Sequence, residues 1–174
     1  MKHNREFEIA FVGLKPGEHT YDYTIADSFF ETFEKPEFWN ANIDVKLVLD
    51  KKANALLLKF YINGKATVSC DRCAEDLELT LWDEFELLVN IIDDDLVAQK
   101  NENDAEVAYI GRSESILDVS SWIFEFITLC LPIQRVHGED ENGKSYCNPT
   151  VIEFLENQNK NATNPIWDKL KNNN

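Results

Sequence analysis

A chain of 174 residues is long enough for one packed domain with its own core. Its 11 Phe, 5 Tyr and 4 Trp recover their ordering entropy only when buried, which excludes a chain disordered throughout. A formal net charge of −15 excludes a general nucleic-acid coat, whose affinity comes from Lys and Arg displacing counterions; it suits a basic partner or simple solubility.

The opening stretch, Met1-Lys2-His3-Asn4-Arg5-Glu6, has no apolar run of signal-sequence length, and no later run reaches the roughly 20 apolar residues of a membrane span. A cytoplasmic chain with neither membrane nor DNA as partner is expected. Its cysteines are then read as thiols or metal ligands, because the cytosol keeps disulfides reduced.

Phe7 to Leu14 alternates as a strand, is closed by the turn Lys15-Pro16-Gly17-Glu18, and is expected to be met antiparallel by His19 to Ile25. Ala26 to Phe33 predicts a short helix with Asp27 near its start. Ile43 to Leu49, Ala55 to Ile62, Lys65 to Cys70 and Leu77 to Ile91 read as strands, with Asp50 to Asn54 and Asn63-Gly64 as hairpin turns. The acidic, Asn-containing stretch from Asp93 to Asp104 predicts a solvated loop, and Glu106 to Ile110 a short strand. Ser113 to Asp118 should open the main packing helix, near 115–130, in which Ile116, Val119, Ile123, Phe126, Ile127 and Cys130 recur at three- and four-residue steps and Pro132 sets the limit.

The fold class expected is α+β: a mostly antiparallel β-meander or curled, barrel-like sheet with one helix across it. Val151 to Leu155 reads as one or two helical turns at the end of a single domain, 1–157. The Asn-rich remainder, 158–174, reads as a flexible tail. In it Pro165-Ile166-Trp167-Asp168-Lys169-Leu170 is either a docking motif or a segment that folds back on its own domain.

Cys70-Asp71-Arg72-Cys73 places two thiolates three positions apart, a spacing that grips one tetrahedral ion when the backbone turns between them. Such a site needs two further ligands, and the Gly-containing stretch 136–147 offers His137 and Cys147. Cys70, Cys73, His137 and Cys147 are therefore the candidate ligands of a structural zinc, the other reading being reduced thiols in an empty site. Cys130, on the apolar stripe of the helix, reads as a structural thiol. A thioredoxin-type role would put the cysteine pair at a helix start, whereas these lie between strands. No catalytic residue is expected: no phosphate-binding glycine loop and no nucleophile elbow occurs, and the adjacent carboxylates Asp93-Asp94-Asp95 read as a solvated loop before a magnesium site.

The stretch Ala66-Thr67-Val68-Ser69-Cys70-Asp71-Arg72-Cys73-Ala74-Glu75-Asp76-Leu77 resembles the signature of the YceD family, the large ribosomal RNA subunit accumulation proteins. A strand leads into Cys-x-x-Cys with a basic residue before the second Cys, and an acidic strand-forming run follows. Leu129-Cys130-Leu131-Pro132-Ile133 and the polar loop after it resemble the family's second landmark, so the likeness covers about Phe7 to Leu155. Many relatives carry several cysteines in that loop, where this chain has His137 and Cys147. The resemblance implies a role in synthesis, processing or stability of the large-subunit ribosomal RNA, in a family for which no enzyme activity is established.

The expectation is a non-catalytic factor for ribosomal RNA accumulation and ribosome biogenesis. Its acidic domain would bind a basic ribosomal protein or a pre-ribosomal particle, with Arg72, Lys59 and Lys65 available for local RNA contact and Trp167 for docking. Two alternatives stay open: a metal-dependent RNA-processing nuclease acting through Asp93 to Asp95 or His137, and a zinc-stabilised interaction module with no tie to ribosomes.

Overall fold

The computed structural model describes residues 5–33, 36–98, 100 and 107–161, with side chains to residue 158. The docking motif at Trp167, with the tail from residue 162, lies outside the described residues, as does the acidic stretch 101–106. The chain divides into two compact units: the chain up to Thr67 together with Glu78–Pro132, and Val68–Leu77 together with the chain from Ile133.

Five strands form the main sheet in the order β2 (Gly17–Ala26), β3 (Phe38–Lys51), β4 (Ala55–Ser69), β5 (Asp76–Ile92) and β6 (Val107–Gly111). The sheet is mostly antiparallel and open, with β2 and β6 as its edges, so of the two forms expected the meander is present and barrel closure is not. β6 departs from the meander by pairing parallel to β5, from Leu88↔Val107 to Ile92↔Gly111. One face is apolar by strict alternation: Ile43, Val45, Leu47 and Leu49 on β3, and Leu56, Leu58, Phe60 and Ile62 on β4, are all buried.

Helix α2 (Ser120–Leu129) covers that face, burying Ile123 and Ile127. The Phe126 ring stacks on Phe85 at 4.5 Å and meets Phe60 edge-on at 5.0 Å. The helix begins later than the periodicity suggests because Leu117–Asp118 is a short strand, β7, paired with β1 (Glu8–Ile9). Ile116 is consequently exposed, and the Asp118 carboxylate accepts the Ser120 N–H at 2.9 Å, serving a donor the first helical turn leaves unpaired.

The N-terminal strand is shorter than expected and does not meet β2. Only Glu8–Ile9 is extended, between the 3-10 turns Arg5–Phe7 and Phe11–Gly13, and β2 pairs with β3 along its whole length, from Gly17↔Lys51 to Ala26↔Asn42. The cause is visible in Lys51, whose ammonium donates to the carbonyls of Phe11, Val12 and Leu14 at 2.8, 3.0 and 2.9 Å. Those carbonyls are committed to a cation instead of a ladder. Helix α1 (Asp27–Phe30) lies within the stretch 26–33 read as helical but covers only four residues of it, and the Asp27 carboxylate accepts N–H groups of Asn40 and Ala41 at 3.0 and 2.8 Å.

Asn63-Gly64 is not a hairpin turn: β4 runs straight through it, and neither residue has the positive φ that a two-residue turn requires. The glycine serves close approach instead. A Cβ at Gly64 would overlap the Asn42 carbonyl oxygen and lie 2.5 Å from Ile43 Cα, on β3. Gly64→Ala is predicted to lower the free energy of unfolding by about 1–3 kcal/mol in a urea titration; an unchanged midpoint would show that β3 does not press on this position.

Candidate metal centre

The second unit is built around two chain reversals. In the first, β4 ends at Ser69 and the chain turns through Asp71–Cys73 before β5 begins at Asp76. The Cys70 N–H donates to the Glu75 carbonyl at 2.8 Å, the Ala74 N–H donates to the Cys70 carbonyl at 2.9 Å, and Ala74 takes a left-handed φ of 59°. This is the backbone turn that the Cys-x-x-Cys spacing demands, and N–H groups of Cys73, Arg72 and His137 are directed at the Cys70 sulfur.

In the second, the chain folds back between His137 and Cys147. Glu139 bridges Ser145, the Tyr146 N–H donates to the Gly138 carbonyl at 2.9 Å, and Gly143 makes the reversal at φ 77°. The Asp140 carboxylate accepts the N–H groups of Asn142 and Lys144, fixing the tip. His137 and Cys147 thus stand at the two feet of one small loop.

Asp71 joins the two reversals. Its N–H donates to the Arg135 carbonyl and its carboxylate accepts the Arg135 N–H, both at 2.7 Å. On the far side, Asn148 caps helix α3 (Pro149–Asn161) by accepting the Thr150 N–H at 3.0 Å, while its side-chain amide donates to Glu75 at 2.6 Å. The helix is longer than the one or two turns read from Val151 to Leu155.

The four expected ligands come together. Donor atoms of Cys70, Cys73, His137 and Cys147 all lie within 4.8 Å of one another, with the three cysteines buried. Cys70 Sγ is 3.7 Å from Cys147 Sγ, and His137 Nδ1 is 3.5 Å from Cys73 Sγ and 3.8 Å from Cys147 Sγ. A tetrahedron with Zn–S of about 2.3 Å and Zn–N of about 2.0–2.1 Å has S···S edges of about 3.8 Å and S···N edges of about 3.6 Å. The Cys70–Cys147, Cys73–His137 and Cys147–His137 distances match those edges, the remaining ones lie within 4.8 Å, and all the cysteines are free thiols.

His137 is also oriented as a ligand would be. Its Nε2 lies 3.2 Å from the Asp76 carbonyl oxygen, which selects the Nε2–H tautomer and leaves the Nδ1 lone pair facing the thiols. Burial raises the Cys70 pKa, but the backbone N–H donors and the Cys73 thiol outweigh it, so the group ends below the ordinary thiol value. The chain itself therefore favours a thiolate, the form that binds metal. Around the sulfurs pack Leu77, Val136, Val151 and Ile152.

Other expected residues are dispersed. Arg72 is exposed, with Nη1 3.5 Å from the Ser145 hydroxyl, and lines an open cleft of about 420 Å³ with Lys144, Glu139, Glu153 and Glu156. Lys59 and Lys65 lie on the outer face of β4 in the first unit, paired with Glu86 at 2.6 Å and Glu78 at 2.7 Å. Asp93 is paired with Arg112 at 2.9 Å, and Asp94 accepts the N–H and hydroxyl of Ser113. Among the described residues the only convergent His/Cys/Asp/Glu group is the Cys70 cluster. Cys130, in the first unit, is half-buried, and burial together with the Asp83 carboxylate pushes its thiol up to about 11.

Sequence reasoning passed over Asp71 and Asn148. Asn148-Pro149 is an N-cap followed by proline in the first helical position, a signal that could have placed the helix start. Asp71 carries none, since its partner lies 64 positions away. Asp71→Ala is predicted to destabilise the second unit by about 2 kcal/mol in chemical denaturation, with Asp71→Asn losing less; equal stability of Asp71→Ala and wild type would show that this tie does not hold the reversals together.

Neither a curated protein nor a solved structure matches the chain. The sequence model described as "Large ribosomal RNA subunit accumulation protein YceD" matches residues 58–172, which contain both cysteine reversals and the helix after them. That span exceeds half of the chain, and the chain belongs to the YceD family.

Proposed function

We propose that the chain holds one structural zinc ion on Cys70, Cys73, His137 and Cys147 and acts in the cytoplasm as a non-catalytic factor for accumulation of the large ribosomal subunit RNA. The observation that carries this reading is the donor geometry. Four protein donors within 4.8 Å of one another, three of their separations matching tetrahedral edges, would fill the coordination sphere of a zinc ion and leave no position for a substrate, which supports a structural site over a catalytic one. Bound there, zinc would cross-link the two reversals of the second unit. The family description supports the ribosomal setting, and the charge of −15 favours a basic protein or particle as partner.

RNA contact, in this reading, is local. Arg72 offers a guanidinium beside a polar cleft, and Lys59 and Lys65 can reach phosphate by exchanging Glu86 and Glu78 for it, since exposed ion pairs hold their partners only weakly. Trp167 is assigned to partner docking.

Protein purified without chelator is expected to carry about one zinc per chain by elemental analysis. Cys147→Ser should lose the metal and, with it, the dispersed amide resonances of residues 133–155. Metal-free protein whose spectrum is indifferent to chelator would remove the zinc from this reading. For the cellular role, depletion is expected to lower the ratio of large to small subunits in a sucrose gradient; an unchanged ratio across growth conditions refutes it.

A further inference from the structure

Helix α2 covers one face of the main sheet, and the opposite face carries side chains that internal packing leaves in water. Alternation along β4 and β5 turns Phe60, Leu81 and Val89 inward, and it turns Lys59, Tyr61, Lys65, Trp82, Glu84 and Glu86 outward. Trp82 is 69% exposed, and Tyr61 and Leu88 on the same face are 38% and 37% exposed. Aromatic side chains held on rigid strands and left in water are the groups that anchor protein interfaces, because they recover apolar area at little conformational cost.

The surroundings of these aromatics are acidic. Trp82 stands midway between Glu78 and Glu86 on β5, and the lysines those glutamates engage, Lys65 and Lys59, flank residues 61 and 63 on β4. With both lysines neutralised, Glu84 adds negative charge beside Trp82. On the other side of Tyr61 lies a shallow groove of about 280 Å³, lined by Asp22, Asp44, Lys46 and Asn63. Carboxylates outnumber cations along this whole stretch.

We infer that the face centred on Trp82 and Tyr61 is a docking surface for a basic polypeptide segment. An apolar side chain of that segment covers Trp82, and a Lys or Arg enters the groove between Asp22 and Asp44, against the Tyr61 ring. RNA does not suit the ground between Trp82 and the groove, since its phosphates would lie against Asp22, Asp44 and Glu84, and Lys59 and Lys65 reach phosphate only at its margins, once released from Glu86 and Glu78. The inference rests on the assembly role proposed above and deepens it by giving the basic partner a place to bind.

The test uses the full-length protein and a synthetic peptide that alternates Arg with Leu, followed by amide and indole NMR. The expected result is that Tyr61, Trp82 and Glu84 resonances shift, that salt weakens binding, and that Trp82→Ala and Asp44→Lys each weaken it about tenfold. Both substitutions are at exposed positions outside the core. Equal binding of a peptide alternating Glu with Leu, displacement of the same resonances by a single-stranded RNA oligonucleotide instead, or their concentration-dependent shift through self-association would overturn the assignment. In depleted cells, Trp82→Ala combined with Asp44→Lys should fail to restore the large subunit. Full restoration overturns the surface and leaves the role, whereas depletion without effect overturns the role and leaves the binding measurement standing.

Discussion

The second unit depends on one convergence: three sulfurs and an imidazole nitrogen, drawn from two stretches some 60 residues apart in the chain, meet within 4.8 Å. Besides Val68 at the end of β4, its buried residues among those described are three cysteines, ringed by half-buried Leu77, Val136, Val151 and Ile152. That is little apolar surface to rest on, since the smaller a unit is, the smaller the share of its surface that folding can bury. The polar ties between the two reversals, through Asp71 and Asn148, bring the backbone near but do not supply an interior. A tetravalent cross-link at the sulfurs would supply one, which is why the donor geometry weighs more than any surface feature in reading this protein.

The first unit has the opposite character. Its sheet buries a continuous apolar face under α2. Freed from structural duty, the outer face can hold ions and rings in water at fixed spacing. A four-donor cluster in one unit and a charged, aromatic sheet face in the other support the binding role proposed above.

What the sequence made legible follows the range of the forces involved. Alternation along 43–49, 55–62 and 77–91 reports burial of each strand directly, so the sheet and its sidedness could be read. The convergence of Cys70, Cys73, His137 and Cys147 was readable because thiol and imidazole chemistry narrows the choice to a few residues, with His137 and Cys147 the suitable pair downstream. Pairing partners were less legible. Phe7 to Leu14 looks like a strand until Lys51, 37 to 40 residues away, takes its carbonyls. Asn63-Gly64 carries the dipeptide of a tight turn, yet here the missing Cβ answers to the backbone of β3, which no local pattern announces. The same holds for β6, whose parallel partner is fixed by where the intervening chain delivers it.

An open sheet also has rims, and rims invite other strands. β6 is only five residues long, and the stretch feeding it from Asp93 is dense in carboxylates. β2 is ten residues long, yet it follows Lys15 and Pro16 and carries Glu18 and Asp22. Brevity at one margin and charge at the other discourage copies of the chain from zipping together edge to edge. The flat of the sheet can then stay sticky without the protein being lost to fibrils.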